Sequence, residues 1–437
     1  METRFISSPL FLLSISVVIL ALLPAAKFVA ASNSVVGINY GQIANNLPPP
    51  EKVVPLFKSI GVNKVKLYDA DPRVLKAFAN TGIEFVVGLG NEYLATMKDQ
   101  AKADAWVKTN VQCYLPATKI TCITIGNEVL TFNDTSLTNS LLPAMQNIHT
   151  ALVTLGLDKK VTVTTAHSLG VLETSYPPSS GAFRKDLRGC VNEILKFHAD
   201  TGYPVFINAY PFFAYKANPK ITLDYVLFQQ NQGIVDPNTN LHYDNMLFAQ
   251  LDAVHQAMTT MGYKRVQVLI SETGWPSKGD ENEVGASPEN AMKYNNNLMK
   301  LLSQKKGTPM RPNCDLSVYV FAMFNENLKP GPLSERNYGL FKPDGTPAYQ
   351  LSSLTSSNSG SSTSSGSHGN NNNNNNGNST SIIGGTGGED GGPASYLSFS
   401  SSTKLGHGSY IIYFQVMLFA CGIKGGFKAR ERMKVGT

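Results

Sequence analysis

Residues 120–165 read ITCITIGNEVLTFNDTSLTNSLLPAMQNIHTALVTLGLDKKVTVTT and predict one strand, one helix and a second strand. The runs 120–125 and 160–165 are rich in Ile, Val and Thr, which is typical of strands. Apolar residues between the two runs recur at steps of three and four, at Leu141, Met145, Ile148, Leu152 and Leu155. This spacing gives a helix one buried stripe, and Gly156 is a suitable C-terminal cap.

The same alternation recurs along the chain and decides the fold class. Short, largely apolar runs lie at 35–40, 62–68, 83–89, 120–125, 160–165, 204–210, 266–271 and 316–324, with helical stretches between them. Eight strand-then-helix units in residues 34–351 predict a single α/β domain, a (β/α)8 TIM barrel. A doubly wound open sheet is the alternative, because a strand count from one sequence can be off by one or two. The Gly88-Leu89-Gly90 turn supports it little, since the third glycine of a dinucleotide loop is missing.

The N-terminus predicts export from the cell. In this chain of 437 residues, Arg4 precedes the apolar run 10–23, and the small-residue stretch 29–31 follows. This order is typical of a secretory signal peptide, so we expect residues 1–31 to be removed. A retained membrane anchor is the alternative, but serines interrupt the run and it is shorter than the roughly 20 residues of a spanning helix.

The charge pattern argues against a nucleic-acid partner. The formal net charge is +6, but six Lys and Arg against three Asp and Glu lie beyond residue 351. The central region is therefore close to neutral and has no basic stripe for phosphates.

The C-terminal region predicts a linker and an anchor signal or a free tail. Residues 352–393 consist largely of Ser, Thr, Gly and Asn, a composition that cannot bury enough apolar surface, so we expect a disordered linker. In residues 394–437, the serines at 400–402, a polar spacer and the apolar run 411–423 resemble a glycosylphosphatidylinositol (GPI) attachment signal. The basic residues after 423 depart from such a signal, so plain secretion to the cell wall is the first expectation.

The cysteines and two acceptor motifs suit an oxidising, secretory route. Disulfides are permitted on that route. The number of cysteines is odd, so at least one is left unpaired, and Cys421 in the tail is the obvious one. No pairing is assigned among Cys113, Cys122, Cys190 and Cys314. No close Cys/His spacing indicates zinc, so no metal is expected. Asn133 and Asn378 each begin an Asn-x-Thr motif for glycosylation.

Three glutamates directly follow predicted strands: Glu128 the fourth, Glu272 the seventh and Glu326 the eighth. Functional residues of a (β/α)8 barrel lie at these carboxyl ends. Two carboxyl groups about 5–5.5 Å apart suffice for retaining glycoside hydrolysis, since one protonates the leaving oxygen and the other attacks the anomeric carbon. The alternative is a solvated glutamate at a helix N-terminus, and we assign that interpretation to Glu92.

The surroundings of two of these glutamates carry a family resemblance. Gly126-Asn127-Glu128-Val129-Leu130 and Ser271-Glu272-Thr273-Gly274-Trp275-Pro276-Ser277 resemble the two active-site motifs of glycoside hydrolase family 17, which comprises the plant endo-β-glucanases. The similarity extends from Gly37-Ile38-Asn39-Tyr40-Gly41 through 204–215 to 324–330. It therefore covers essentially the whole predicted domain.

The resemblance implies an activity and a set of residues. It implies a (β/α)8 barrel that hydrolyses internal β-1,3 linkages of glucan with retention, without a metal or cofactor. It assigns Glu128 as the general acid/base and Glu272 as the nucleophile. Asn127 is then placed for the sugar 2-hydroxyl, and Glu326 and Lys329 orient and tune the pair.

Aromatic residues at the strand ends are candidates for a sugar platform, because sugar rings stack on aromatic faces. Alternate residues there point into the core, and we select Tyr40, Tyr210 and Phe213 as substrate contacts. Trp275 is expected to buttress Glu272, and no catalytic role is assigned to His167.

Two other functions remain as alternatives at this point. One is a wall-associated glucan-binding protein with little turnover, and the other is a β-glucan transglycosylase. The linkage preference, β-1,3 or β-1,3-1,4, is also open, as is the role in wall remodelling or in defence against fungi. A monomer that acts on β-1,3-glucan is the expectation.

Overall fold

A computed structural model of the protein describes residues 36–351. The predicted signal peptide at 1–31, linker at 352–393 and tail at 394–437 lie outside the described residues, as do Asn378 and Cys421.

Eight parallel strands form a closed barrel in the order β1-β8-β7-β6-β5-β4-β3-β2. Each predicted run overlaps one of them: β1 (Val36–Asn39), β2 (Lys64–Lys66), β3 (Glu84–Leu89), β4 (Lys119–Asn127), β5 (Thr162–Ser168), β6 (Val205–Asn208), β7 (Val268–Thr273) and β8 (Val318–Val320). Pairing of β1 with β8 closes the sheet. The TIM-barrel prediction is confirmed, and the open-sheet alternative is wrong.

Helices follow the strands along the chain and surround the barrel. They are α1 (Pro50–Ser59), α2 (Pro72–Ala77), α3 (Gln100–Asn110), α4 (Thr135–Thr154), α5 (Arg188–Thr201), α6 (Pro211–Ala217), α7 (Leu223–Val226), α8 (Met246–Thr260) and α9 (Pro288–Ser303). The predicted helix near 141–155 is α4, which begins earlier because the Asp134 side chain caps the amides of Ser136 and Leu137. Two short antiparallel hairpins pair Leu172–Thr174 with Ala182–Phe183 and Ile234–Val235 with His242–Tyr243.

The apolar core has two layers that position the strand ends. The main cluster lies between the strands and the helices, and a smaller one of strand residues fills the barrel: Val86, Cys122, Ala166, Phe206 and Tyr319. A Cβ at Gly37 would clash with the Tyr319 ring, so glycine in β1 gives that ring its space. The packed interior leaves the carboxyl ends of the strands as the place for a site.

The described cysteines are all free thiols. Cys113 and Cys314 are exposed, Cys190 is half-buried and Cys122 is buried. Burial raises the pKa of the Cys122 thiol to about 12, which keeps it neutral and unreactive. Within residues 36–351, no helix combines the length and the apolar character that crossing a membrane requires.

Candidate active site

Glu272 is held by three donors at the carboxyl end of β7. Lys66 Nζ lies 2.9 Å from Glu272 Oε1, and the Tyr68 hydroxyl donates to the same oxygen at 2.7 Å. The Tyr210 hydroxyl donates to Oε2 at 2.9 Å. Lys66 is completely buried and Glu272 is 6% exposed. The carboxylate is therefore positioned by Lys66 at the end of β2, by Tyr68 two residues later and by Tyr210 in the segment after β6.

These contacts favour the ionised form of Glu272. Burial opposes its negative charge, but the positive charge of Lys66 and the hydrogen bonds from Tyr68 and Lys66 outweigh burial and lower the pKa of Glu272. The charge of Lys329 acts in the same direction. Glu272 is therefore a carboxylate at neutral and mildly acidic pH.

Glu128 reaches the same region through an unusual backbone turn. It follows β4 with a left-handed φ of 55°, and Gly126 two residues earlier has a φ of 65°. The Glu128 amide donates to the Ala166 carbonyl at 2.8 Å, which fixes this turn. Its Oε1 then accepts a hydrogen bond from Asn208 Nδ2 at 2.8 Å. Non-glycine residues with positive φ are rare and cluster at functional sites.

Glu128 has the opposite acid–base character to Glu272. Burial of its carboxyl group, together with the negative charge of Glu272, raises the pKa of Glu128 to about 7. The hydrogen bond from Asn208 acts against this rise. At mildly acidic pH the site therefore contains a neutral carboxyl group and an ionised one, which is the charge distribution of an acid and a nucleophile.

Asn208, the last residue of β6, links the two carboxyl-bearing strands. Its Nδ2 contacts both Glu128 Oε1 and, at 3.3 Å, Asn127 Oδ1. Its Oδ1 accepts from Ser271 Oγ at 2.7 Å, and Ser271 precedes Glu272. In the barrel, β5 and β6 separate β4 from β7. The hydrogen bonds of Asn208 cross this separation and fix the position of Glu128 relative to Glu272.

Asn127 also has its main chain fixed. Its amide donates to Asn91 Oδ1 at 2.8 Å, and its carbonyl accepts from Asn91 Nδ2 at 3.1 Å. Its side chain is half-buried beside Glu128. The side-chain amide of Asn127 therefore lies beside Glu128.

Glu326 closes the site on the β1 side. It is 3% exposed, and its Oε1 accepts from the Ile43 amide at 2.8 Å. A Cβ at Gly41 would lie 2.5 Å from its carboxyl oxygens, so the glycine allows this close approach. Burial raises the pKa of Glu326, and the charge of Lys329 acts against that rise.

Lys329 and Glu335 form a second charged pair after β8. Lys329 Nζ lies 3.7 Å from Glu335 Oε2 and 3.9 Å from the centre of the Phe321 ring. Burial raises the pKa of Glu335, while Lys329 lowers it. One lysine therefore acts electrostatically on Glu335, Glu326 and Glu272.

The prediction that Tyr40 contacts substrate is wrong. The residue is 2% exposed, and its ring packs between Phe57 of α1 at 6.3 Å and Phe324 at 6.0 Å. The alternation of side chains turns it toward the helix layer, and both faces are covered. Tyr40 is thus a core residue.

Tyr210 and Phe213 lie on the wall of the site beyond β6. Both are half-buried, and their rings are 5.5 Å apart. Tyr210 also donates to Glu272, so it supports the carboxylate as well as forming part of the wall.

Four further candidates occupy other positions in the fold. Trp275 is completely buried, and its Nε1 donates to the Gly285 carbonyl at 2.8 Å; its support of Glu272 stays a prediction. His167 lines an apolar cavity beside α5 and α8, and burial lowers its pKa to about 3. Glu92 is exposed in the 3-10 turn Asn91–Tyr93. Asn133 is exposed just before α4.

Four residues that bond to Glu272, Glu128 or Lys329 were not among the predicted site residues: Lys66, Tyr68, Asn208 and Glu335. Lys66 and Asn208 each stand between apolar neighbours at the end of a strand, so a polar residue in such a run was an available signal. Glu335 had no such signal, because only the tertiary fold brings its 3-10 helix beside Lys329.

The arrangement defines a class of enzyme. Residues 36–351 contain no group of three or more His, Cys, Asp or Glu side chains suited to a metal ion. The closed (β/α)8 barrel instead presents a neutral and an ionised carboxyl group at its strand ends, which is the site of a glycoside hydrolase.

Comparison with known families agrees with that class and narrows it. The family described as Glycosyl hydrolases family 17 matches residues 36–353. The chain belongs to this family, so the resemblance predicted from the two glutamate motifs is confirmed.

Similar proteins and structures come from plants. The chain is 62% identical over 348 residues to glucan endo-1,3-beta-glucosidase 11 of Arabidopsis thaliana, covering 79% of this chain and 80% of the relative. It is 63% identical over 328 residues to glucan endo-1,3-beta-glucosidase 10 of the same plant, covering 74% and 77%. The structure of CJP38, a beta-1,3-glucanase and allergen of Cryptomeria japonica pollen, superposes with a TM-score of 0.70 at 41% identity, covering 72% of this chain and 98% of that one.

Proposed function

We propose that the protein is an endo-1,3-β-glucanase that hydrolyses internal β-1,3 linkages of glucan with retention of anomeric configuration. The observation that carries this proposal is the hydrogen-bond chain through Asn208 and Ser271 that ties Glu128 to the end of β7, where Glu272 pairs with the buried Lys66. The raised pKa of Glu128 and the lowered pKa of Glu272 agree with it. A retaining glycosidase needs one carboxyl group that donates a proton and one that attacks. The relatives named glucan endo-1,3-beta-glucosidases support the choice of substrate.

In the first step the glycosidic bond is exchanged for an enzyme ester. A Glu272 oxygen attacks C1 of the sugar, and the bond between C1 and the leaving oxygen breaks. Glu128 gives its proton to that oxygen, so the leaving chain departs as an alcohol. Lys66 and Tyr68 hold Glu272 Oε1, which orients the carboxylate for attack.

In the second step water replaces the enzyme at C1. The ester has consumed the negative charge of Glu272, so one cause of the raised pKa of Glu128 is gone. Glu128 is then the base that takes a proton from water, while the oxygen of that water bonds to C1 and Glu272 leaves as a carboxylate. Two inversions at C1 give net retention.

The surrounding residues bind and tune rather than react. Asn127 beside Glu128 suits the 2-hydroxyl, a contact that strengthens in the transition state. Phe213 and Tyr210 offer half-buried rings for sugar faces. Glu326 and Lys329 set the electrostatic environment of Glu272.

Parallel digestion tests both the reaction and the linkage. Purified protein is incubated with a β-1,3-glucan and with a β-1,3-1,4-glucan while reducing ends and product lengths are measured. Release of short oligosaccharides from the first polymer, with the β-anomer formed initially, is expected. Binding without new reducing ends would favour a glucan-binding protein, and products longer than the substrate would favour a transglycosylase.

We also propose that the enzyme is a secreted, monomeric glycoprotein of the cell wall. The order of charge, apolar run and small residues at 1–31 supports secretion, and the exposure of Asn133 supports its glycosylation. Callose in wall remodelling and fungal glucan in defence are the two substrates this location offers. An N-terminus near residue 32, a glycopeptide containing Asn133 and a monomer mass in solution are the expected results.

Lipid attachment near residues 400–402 is the proposed alternative to free release. Treating membranes with a phospholipase specific for phosphatidylinositol distinguishes the two. Release of the protein by that enzyme would indicate a GPI anchor, whereas protein already free in the wall fraction would indicate plain secretion.

A further inference from the structure

Glu283 is a buried carboxylate that the proposed reaction does not use. Its side chain has no exposed surface. Oε1 accepts from Lys216 Nζ at 2.8 Å and from Ser334 Oγ at 2.7 Å. Oε2 accepts from the Ser334 amide at 2.9 Å and from the Asp280 amide at 3.1 Å. Four donors from three segments of the chain therefore converge on one side chain.

Those contacts belong to a larger clasp between the loop after β7 and the 3-10 helix Leu333–Arg336. Asp280 Oδ2 accepts from the Leu333 amide at 3.0 Å. The Ser277 amide and hydroxyl both donate to the Asn337 carbonyl, at 2.8 and 3.0 Å. Backbone groups on both sides of Glu335, at Leu333, Ser334 and Asn337, are thus bonded to the loop after β7.

The clasp bears directly on the charges of the site. Glu335 is the residue after Ser334, and Lys329 Nζ lies 3.7 Å from Glu335 Oε2. Lys329 in turn acts on Glu272. Lys216 extends the connection to α6, which begins one residue after Tyr210 and contains Phe213. Glu283 is therefore placed to join the wall of the site to its charged pair.

We propose that Glu283 is a positioning residue of the active site, whose buried carboxylate holds Leu333–Arg336 so that Glu335 keeps Lys329 in place over the Phe321 ring. The inference rests on the proposed function, because it concerns the same site. A buried carboxylate with four donors is well suited to this role, since its strong acceptors leave little freedom to the groups they bind.

The proposal makes the ionisation of Glu272 depend on a distant residue. The groups that face Glu272 come from several elements: Lys66, Tyr68, Tyr210, Glu128, Glu326, Lys329 and Glu335. Lys66 and Lys329 are the cations among them, and only Lys329 depends on a partner in the clasp. Displacing Leu333–Arg336 should therefore weaken the influence of Lys329 and raise the pKa of Glu272.

The test replaces Glu283 with glutamine, which keeps the size but turns an NH2 group toward two of the four donors. We expect kcat of Glu283→Gln to fall by about tenfold to a hundredfold, as for a small misplacement of reacting groups, with KM nearly unchanged. The acidic limb of the pH profile should move to higher pH. A purely structural role would lower the melting temperature and the active fraction without moving that limb.

Two further variants and a crystal structure complete the test. Glu289→Gln makes the same change in an exposed pair with Lys293 and should leave kcat, KM and pH profile unchanged. Ser334→Ala keeps the Glu283 carboxylate but removes one of its four hydrogen-bond donors. The acidic limb of its pH profile should therefore also move to higher pH, but by a smaller amount. If Glu283→Gln does not fold, Ser334→Ala decides whether Glu283 has the positioning role. In crystals of Glu283→Gln, Lys329 Nζ should lie farther from Glu335 Oε2 than the 3.7 Å found here.

The two proposals fail in different ways. An acidic limb that stays in place in both variants, or an unchanged Lys329–Glu335 distance in Glu283→Gln, overturns the role of Glu283 while wild-type activity stands. A wild-type protein that cleaves no β-glucan overturns the proposed function, and the crystal structure then decides the positioning role alone.

Discussion

Lys66 is completely buried inside the barrel with its Nζ 2.9 Å from Glu272 Oε1. A buried ion pair gives little net stability, because both charges lose their hydration. Its effect is instead on the ionisation of Glu272, which also receives hydrogen bonds from Tyr68 and Tyr210. The pair therefore explains why a carboxyl group in a closed site remains a nucleophile.

Replacing Lys66 with methionine should separate stability from ionisation. Glu272 loses its nearest positive charge, so its pKa should rise and the acidic limb of kcat/KM should move to higher pH. Breaking a buried pair by removing one partner is destabilising by about 3–5 kcal/mol, which urea unfolding measures. An acidic limb that does not move in Lys66→Met would show that Lys66 does not set the charge of Glu272.

The wild-type enzyme should have a bell-shaped dependence of kcat/KM on pH. Glu128 has a raised pKa of about 7, so its proton is present below that pH and is lost above it. Glu272 has a lowered pKa, so its charge is lost only at pH values below the ordinary range of glutamate. Rates measured from pH 3 to 9 check both limbs, and full activity at pH 9 would contradict the assignment of Glu128 as acid.

Glu128→Gln should discriminate between substrates by their leaving groups. A glucan needs a proton on the departing oxygen, so its hydrolysis should fall by about 10²–10⁴-fold. An aryl β-glucoside oligosaccharide with an acidic phenol needs no proton, so formation of its enzyme ester should persist and phenol release should show a burst. Glu92→Gln, at another glutamate that follows a strand, is the matched control and should leave both substrates unaffected. Equal losses on both substrates would argue against an acid role.

The buried carboxyl group of Asp252, which has no part in the active site, should make the stability of the folded protein depend on pH. It is buried in α8, where its Oδ2 accepts from Tyr243 and from the Met310 amide, and burial raises its pKa to about 6. The folded protein therefore holds this proton at pH values where the unfolded chain has released it. Wild-type stability should decline as pH rises from about 4 to 6, and the full penalty should be present above that window.

Asp252→Asn removes the titrating group and keeps an acceptor oxygen. Relative to wild type, its free energy of unfolding should increase across that window by an amount on the order of 2 kcal/mol. Urea unfolding at pH 4 and pH 7 gives this difference directly. A constant difference at the two pH values would mean that Asp252 titrates alike in both states.

The barrel was predictable because its signals are local. Each strand run is a few residues long, and the stripe from Leu141 to Leu155 is readable within a single helix. Helix starts were less accurate, as with α4, because a capping side chain such as Asp134 extends the helix beyond its apolar stripe.

The site was predictable only where residue order carried the information. Glu128 directly follows β4 and Glu272 lies at the carboxyl end of β7, so the topology brings them to one end of the barrel. Lys66, Asn208 and Glu335 act through contacts between residues far apart in the chain, which no local pattern specifies. Tyr40 was misassigned because a position at a strand end does not say which way its side chain points.

Trapping the covalent intermediate identifies the residue that attacks C1. A 2-deoxy-2-fluoro laminarioligosaccharide fluoride should form the ester quickly, because fluoride leaves readily, and release it slowly, because the 2-fluoro group destabilises the oxocarbenium-like transition state. Peptide mass spectrometry should then find the sugar on the peptide that contains Glu272. A sugar on Glu128 or Glu326, or an enzyme that turns over glucan without forming any ester, would contradict this account.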